Sequence, residues 1–305
     1  TPAPTPAKRI TPSTAAVLSM ASTAPVINRQ EIDVVRTHLI NAKGEGNVWG
    51  IYSNGRDRLS TDAGAALSMR TDGLTIGIER NDKARNDATL TSGLFASFQN
   101  SKVDFNRGGE GRVKTSSFGG YADWHMNSWY VSGIAKFSYL ENDVNARMTS
   151  GVRASGRYNQ TALSADLQTG YKFNITDNTW ITPFAGTSVF SANGAEYGLS
   201  NGMKAEVKSV RSVISETGAI VGYSGKVVSP WVKLAAGREF INNNQVQVNA
   251  DKFINDASGS YYSLQGGVTG ELSQNMRISA DVKYRDGSKT ESPVTANIGL
   301  SYSFK

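Results

Sequence analysis

The segment that most constrains the fold lies at the end of the chain, where apolar and small polar residues alternate strictly. From Val294 to Phe304 the even positions are Val, Ala, Ile, Leu, Tyr and Phe, and the odd positions between them are Thr, Asn, Gly, Ser and Ser. A period of two places all the apolar side chains of a β-strand on one face. The alternation continues for about ten residues, which is the length of a tilted strand that crosses a membrane. One such strand also fits a soluble β-sandwich, so the rest of the chain is needed to distinguish a sandwich from a membrane-spanning sheet.

The same period recurs from about residue 47 onward and predicts twelve strands. In the fifth of them, Trp129, Val131 and Phe137 share one face, while Ser132 and Lys136 lie on the other. Short turns alternate with longer polar connections, and this alternation with an even strand number is typical of outer-membrane barrels. Sandwich strands are usually shorter. The pattern therefore predicts an all-β fold, a 12-stranded antiparallel transmembrane β-barrel.

Four polar stretches are predicted to be long loops between strands, because clusters of Gly, Asn and Ser break a strand pattern. They cover residues 100–114, 140–155, 191–204 and 242–258. The first, rich in glycine and charge, would be the contact surface of a barrel that acts through its loops. Inside the second strand, Thr71-Asp72-Gly73 is predicted to form a bulge or a turn.

Charged residues within the predicted strands fall on the face opposite the apolar row, and in a barrel that face lines the lumen. The candidate lumen-facing residues are Asp123, Lys136, Asp166, Lys172, Asp281 and Lys283.

The beginning of the chain carries helix signals instead of strand signals. Residues 1–10 contain proline at three alternate positions and are predicted to be an extended linker. Thr11 can cap a helix that begins at Pro12. Pro25 can open a second helical piece, with Thr23 or Ala24 as its cap.

The second helical piece is charged on several sides and has no clean apolar stripe. Its charged residues include Arg29, Glu31, Asp33 and Arg36. Such a helix is unstable on a soluble surface but suits a wet, polar enclosure, although the segment alone also fits a helix lying on a sheet. We predict a linker over residues 1–10, a pore-spanning helical segment over 11–43 and a transmembrane β-barrel over 44–305.

Composition and motifs argue against several other functions. The net charge is +6, but the cations are dispersed and form no nucleic-acid-binding motif. The chain has no cysteine, no metal-ligand spacing and no phosphate-binding loop, so no metal or cofactor is expected. The histidines are His38 and His125. His125 could pair with Asp123 on the same strand face, but we interpret both as polar lumen residues and expect no enzyme activity.

Two local motifs make the chain resemble the translocator domain of classical monomeric autotransporters, the type V secretion system. The segment Arg36–Tyr52 looks like the helix-to-first-strand junction of that family. The last strand looks like an outer-membrane assembly signal, in which a polar residue is followed by Gly and then by two aromatic residues one position apart. These residues are Asn297, Gly299, Tyr302 and Phe304. The resemblance extends from about Thr11 to Phe304.

The resemblance implies a function and a set of partners. The barrel would be inserted into outer-membrane lipid by the Bam machinery, as a monomer. Its helix would plug the pore, and an upstream passenger domain, which this sequence does not contain, would be exported and held at or released from the bacterial cell surface. Thr1 is not followed by a signal peptide, so we expect a longer precursor. The identity of the passenger stays open.

Two departures from the family pattern matter. Lys305 follows Phe304, whereas family members usually end on the aromatic residue. One subgroup cleaves itself inside the pore at an Asn-Asn pair, but here neither Asn28 nor Asn41 has a second Asn beside it. We therefore expect no cleavage of that kind.

The proposed mechanism is steric and electrostatic. The helix would fill the pore, and salt bridges between its charges and those of the lumen would hold it there. Each salt bridge would contribute about 1 kcal/mol if water remains in the pore. The alternative function is a passive diffusion porin, which would need neither the polar helix nor the linker.

Overall fold

The computed structural model describes residues 10–42, 46–83 and 88–304. The linker predicted over residues 1–10 lies outside the described residues apart from Ile10, and so do position 43 at the end of the predicted helical segment and Lys305. Two helices come first, α1 (Pro12–Ala21) and α2 (Thr23–Asn41), and Ser22 joins them. The break thus falls three residues before Pro25, which lies in the first turn of α2.

The remainder of the described chain forms strands. In chain order they are β1 (Asn47–Ser60), β2 (Ala66–Lys83), β3 (Thr89–Phe105), β4 (Gly109–Met126), β5 (Trp129–Arg147), β6 (Arg153–Tyr171), β7 (Phe173–Asn174), β8 (Thr179–Ala192), β9 (Ala195–Gly198), β10 (Lys204–Val207), β11 (Val210–Tyr223), β12 (Val228–Glu239), β13 (Gln245–Val248), β14 (Asp251–Ile254), β15 (Gly259–Glu271), β16 (Met276–Gly287) and β17 (Thr290–Ser303).

Twelve of these strands are long and form a closed wall. Each pairs antiparallel with its neighbours in the order β1 to β6, β8, β11, β12, β15, β16 and β17. The wall closes because β1 also pairs with β17, where Asn47 lies opposite Ser303. The predicted 12-stranded antiparallel barrel is confirmed. Neither described helix combines the length and apolar composition that a membrane-crossing helix requires.

The two faces of the wall differ as the alternation predicts. On β17 the outward residues include Ile298, which is 60% exposed, and Leu300, whereas Asn297 points inward and is buried. Large apolar side chains such as Phe118 and Leu163 are likewise exposed on the outer surface. An apolar belt of this kind matches the hydrocarbon layer that surrounds a membrane barrel.

The loops predicted over residues 100–114 and 140–155 are wrong. β3 continues to Phe105 and β4 begins at Gly109, and β5 similarly continues to Arg147 before β6 begins at Arg153. The alternation fails as a signal there because the outward residues become charged where the strands extend beyond the apolar belt. The candidate contact loop at 100–114 is therefore two strand ends and a tight turn.

Two further predictions about connections need correction. Thr71-Asp72-Gly73 forms neither a bulge nor a turn, because β2 pairs without a register shift with both β1 and β3. The stretches 191–204 and 242–258 are not simple loops. They contain the short strands β9, β13 and β14, and a fourth short strand, β10, begins at Lys204 where the first stretch ends; the four pair into a small sheet in the order β14-β13-β10-β9. We call this the cap sheet, and the end of the barrel that carries it the cap end.

The first helix has an apolar environment at the cap end. Thr11 caps α1 by accepting a hydrogen bond from the Thr14 backbone N–H at 3.2 Å. Leu18 and Met20 are almost fully buried in a core that includes Val144 of β5 and Val246 of β13. Burying apolar area in this way stabilises the helix against the wall and the cap sheet.

Candidate functional site: the barrel lumen and its helix

The second helix lies inside the barrel. α2 contacts β1 and β2 on one wall and β8 and β11 on the other. Since β8 is the seventh of the twelve wall strands counted from β1, these contacts lie on opposite sides of the interior. A helix enclosed in this way meets a different strand on each side, which accounts for its lack of an apolar stripe.

Glu31 of α2 faces β4 and β5. Its carboxylate forms an ion pair with Lys136, and both side chains are almost completely buried. Ser117 on β4 donates a hydrogen bond to the same carboxylate at 2.9 Å. A buried charge needs this combination of a counter-ion and hydrogen bonds, because desolvation is otherwise costly.

Asp33 faces the opposite direction and meets two cations of β16. Its Oδ2 accepts a hydrogen bond from Lys283 Nζ at 2.6 Å and another from Arg285 Nη2 at 3.1 Å. The strand pattern places Arg285 on the polar face, but nothing in the sequence connects it to the helix. The carboxylate thus compensates two buried positive charges at once.

Arg36 is the third helix charge with an opposite charge on the wall. Its guanidinium forms an ion pair with Asp166 on β6. It also donates to the hydroxyl of Ser132 on β5, and to the Ser132 carbonyl at 3.4 Å. A planar guanidinium can serve two neighbouring strands because its donors point in fixed, divergent directions.

Arg29 lies differently from the other three helix charges. Its guanidinium is 5.8 Å from the ring centroid of Tyr261 on β15, and the guanidinium of Arg285 is 4.8 Å from the same ring. Its Nε and Nη2 atoms have no hydrogen-bond partner within the described part of the chain. A face-on aromatic contact stabilises a cation, though less than a paired carboxylate does.

Asp281 and Asp123 also line the lumen, and within the described part of the chain neither forms an ion pair with the helix. Asp281 accepts hydrogen bonds from Gln265 and Asn297, both at 2.8 Å, and Gln265 in turn donates to Thr37 of α2 at 3.0 Å. Asp123 lies 2.7 Å from His125, which is half exposed near the end of β4.

The structure does not place Lys172 on the lumen face of a strand, where the sequence pattern predicts it. It lies just past the end of β6 at Tyr171 and is exposed at the rim, with Nζ 5.1 Å from the ring centroid of Trp180. Partial burial lowers the pKa of Lys172. The alternation assigns faces only within a strand, so it does not extend to a residue in the following connection.

Sequence reasoning missed a buried cluster around His38 near the end of α2. The imidazole stacks on Trp49 with ring centroids 4.1 Å apart, and its Nε2 lies 2.8 Å from Glu79 Oε2. Tyr121 donates to the same oxygen at 2.6 Å and accepts from Trp49 Nε1 at 2.9 Å. The inward position of Glu79 follows from the alternation of β2, but its meeting with the helix does not.

The joint and the end of the helical segment are held by neutral side chains. Asn255, in the connection after β14, donates to the Leu18 carbonyl at 2.9 Å and to Ser22 Oγ at 2.7 Å. At the other end, Asn41 Oδ1 accepts from Trp231 Nε1 and from Thr269 Oγ1, both at 2.8 Å. Contacts therefore extend along the whole length of both helices.

The residues of the candidate assembly signal lie on β17 and just beyond it. Asn297 and Gly299 face the lumen, whereas the rings of Tyr302 and Phe304 face outward and pack edge to face, 5.6 Å apart. Among the described residues no group of three or more His, Asp or Glu side chains could hold a metal ion.

Comparison with known proteins gives consistent matches. The family model described as Autotransporter beta-domain matches residues 48–283. "Probable autotransporter YpjA" of Escherichia coli strain K12 is 39% identical over 309 residues, which cover 97% of this chain and 20% of that protein. "Autotransporter adhesin/invasin TibA" of E. coli O78:H11 is 32% identical over 98% of this chain and 31% of its own length. The chain thus spans less than a third of either relative.

Solved structures show the same fold. The translocator domain of the autotransporter NalP from Neisseria meningitidis aligns with a TM-score of 0.75 at 13% identity and covers 95% of this chain and 100% of that one. The transport unit of the autotransporter AIDA-I from E. coli aligns with a TM-score of 0.73 at 17% identity, over 88% of this chain and 97% of that one.

Proposed function

The chain belongs to the autotransporter β-domain family of outer-membrane translocators, and from this premise we propose that it exports and anchors an N-terminal passenger while its own helix plugs the pore. The passenger would precede residue 1. Because the passenger would lead through residues 1–10 into α1, export through the barrel would leave α1 and α2 in the lumen, with α1 nearest the cell surface. The cap end would then face the outside.

The observation that carries this proposal is the set of three ion pairs between α2 and different strands. Glu31 pairs with Lys136, Asp33 with Lys283, and Arg36 with Asp166. Since these partners belong to β5, β16 and β6, they hold the helix from several sides and occupy the space that an open pore would require. Removing one partner from a buried pair costs about 3–5 kcal/mol, because it leaves the other charge without compensation.

The partners follow from the same proposal. The outer wall would lie in outer-membrane lipid, and the Bam machinery would read Asn297, Gly299, Tyr302 and Phe304 during insertion. Because β1 pairs with β17 and the wall has no free edge, the barrel would function as a monomer.

Single-channel conductance in planar bilayers tests the plug. The full chain is expected to give a small, noisy conductance, and a chain without residues 1–43 a large, steady one. Equal, large conductances would instead favour a passive diffusion pore. Reversing the charges of Asp33 and Arg36 together should also increase leakage and lower heat stability, and an unchanged protein would remove the ion pairs from the mechanism.

We propose no catalytic role for the barrel. Asp123 and His125 lie within hydrogen-bond distance, but His125 is half exposed near a turn, and its environment is that of a polar residue at the lumen entrance. A hydrolytic activity that disappears in His125→Ala would contradict this assignment. A new N-terminus at Arg29 after folding in vitro would likewise contradict the expectation that Asn28 does not cleave the chain.

A further inference from the structure

Four cations form a continuous row on the outer surface of the barrel, near the cap end. Arg56 on β1 lies opposite Arg70 on β2, Arg70 lies opposite Lys102 on β3, and Lys102 lies opposite Arg112 on β4. All four side chains are exposed. Adjacent strands are about 4.8 Å apart, so the row spans about 14 Å. We call these four residues the basic row.

The basic row ends beside a carboxylate, because Asp143 on β5 lies opposite Arg112, but Asp143 pairs with Arg157. Within residues 10–42, 46–83 and 88–304, no carboxylate forms an ion pair with any of its members. The contrast with nearby cations is clear, because Arg58 pairs with Glu291 and Arg157 pairs with Asp143. Like charges directly opposite each other on neighbouring strands are destabilising. Three such contacts in succession create a strip of positive charge that an external anion would stabilise.

The position of the basic row indicates where that anion lies. Four residues towards the opposite end of the barrel, the outward side chains are Tyr52 on β1, Leu74 on β2 and Phe98 on β3, all of which are about half exposed at the edge of the apolar belt. Four residues of a strand correspond to about 13 Å, and less in height because barrel strands are tilted. The long side chains of Arg and Lys can bend towards the apolar belt, which brings their charged groups closer to its edge.

The outward residues on either side of the basic row are also consistent with a position at the lipid headgroups. Between it and the apolar belt lie Asn54, Asp72, Asn100 and Lys114, one on each of the four strands, so one carboxylate and one cation share that level. On the far side, the outward residues of β3 and β4 are the acidic Asp104 and Glu110. The four cations thus lie in one layer between the apolar belt and the acidic pair Asp104 and Glu110, at the level where lipid headgroups lie.

From this placement we propose that the basic row binds the phosphate groups of a phosphorylated lipid in the leaflet at the cap end. Guanidinium groups bind phosphate oxygens through paired, charge-assisted hydrogen bonds, and three of the four members are arginines. A lipid that carries two phosphates would bridge neighbouring cations of the row and remove their repulsion. Its acyl chains would lie against the apolar belt below.

The test compares lipids that differ only in phosphate content. The full chain in neutral detergent micelles is titrated with lipid A that carries two phosphates, and the bound lipid is counted by native mass spectrometry. The titration is repeated with the same lipid after removal of its phosphates, and with inorganic phosphate as a competitor. Tight binding of the phosphorylated lipid alone is expected. Equal binding of both lipids, or complete competition by inorganic phosphate at matched phosphorus concentration, would overturn the proposal.

The variant that tests the residues neutralises the whole row: Arg56→Gln, Arg70→Gln, Lys102→Gln and Arg112→Gln. Each cation near an anionic membrane surface strengthens binding by about fivefold, so neutralising all four should lower the affinity by about a hundredfold or more. The matched control neutralises four exposed cations elsewhere at the cap end, Arg147, Arg153, Lys204 and Lys252, each to Gln. Its affinity should stay within about threefold of the original.

Folding of each variant is checked by its heat-dependent shift in electrophoretic mobility. If the fourfold variant does not fold, the pairs Arg56→Gln with Arg70→Gln and Lys102→Gln with Arg112→Gln replace it, and each should lose affinity by about tenfold or more. Unchanged affinity in the row variants, or an equal loss in the control, would show that the row is not a binding site.

Discussion

Asp33 of the helix and Lys283 of β16 are 250 positions apart in the chain, yet their Oδ2 and Nζ atoms lie 2.6 Å apart. Arg285, two residues further along the same strand, donates to the same oxygen at 3.1 Å. One carboxylate thus compensates two cations whose side chains are only 5% and 3% exposed. The helix is therefore a structural part of the barrel, because without it these charges would face each other unpaired.

The substitution Asp33→Asn tests this dependence. It removes the carboxylate that both Lys283 and Arg285 contact, so the free energy of unfolding should fall by about 3 kcal/mol. Urea unfolding of the barrel in detergent micelles, followed by tryptophan fluorescence, measures the change. The matched control is Glu291→Gln, which removes the partner of the largely exposed Arg58 and should cost less than about 1 kcal/mol. Similar losses in both variants would mean that the lumen pair is no stronger than a surface pair.

Arg36→Ala should loosen the helix and increase leakage through the barrel. The change leaves Asp166 without its cation and Ser132 without its donor. Conductance in planar bilayers should show frequent large openings that are rare in the original protein. Arg36→Lys should restore part of the closure, because it keeps the charge but loses the divergent donors of the guanidinium. If Arg36→Lys leaked as much as Arg36→Ala, charge would not be what holds this side of the helix.

The imidazole of His38 makes two separable contributions, stacking on Trp49 and a hydrogen bond to Glu79. His38→Ala removes both and should lower the free energy of unfolding by about 2–3 kcal/mol. His38→Phe keeps the stacking surface and should lose about half as much, because Glu79 still accepts from Tyr121. Both values come from the same urea unfolding measurement. A larger loss for Phe than for Ala would show that the site cannot accommodate an apolar ring.

Leu18→Ala tests the apolar half of the helical segment. Leu18 is completely buried in the core at the cap end, so the change should cost about 2–5 kcal/mol through lost burial and a residual cavity. Leu300→Ala is the control, since Leu300 is half exposed on the outer face and should cost about 1 kcal/mol. Unfolding in urea compares the two. Equal costs would indicate that α1 is not firmly packed.

The wall of the barrel could be predicted from the sequence because its signal is local. In a strand, each residue's face follows from its own position, and lipid on one side imposes a constant selection for apolar side chains. For this reason the outward face of β17, with Ile298 and Leu300, is predicted correctly, and so is the inward face that carries Lys136. The assignment of faces fails where that selection ends, at the strand extensions beyond the apolar belt and at Lys172 just past a strand end.

The tertiary structure decided the rest. Which wall charge meets each helix charge depends on the rotation and height of α2 and on the stagger of twelve strands, and no local pattern encodes these quantities. Glu31 pairs with Lys136, which is 105 positions away in the sequence, and Arg36 pairs with Asp166, which is 130 positions away. The alignment of Arg56, Arg70, Lys102 and Arg112 in one row is likewise a consequence of strand register. The sequence by itself determined the faces of the strands, because periodicity needs only neighbours, while the pairing of charges required the closed barrel that brings distant residues together.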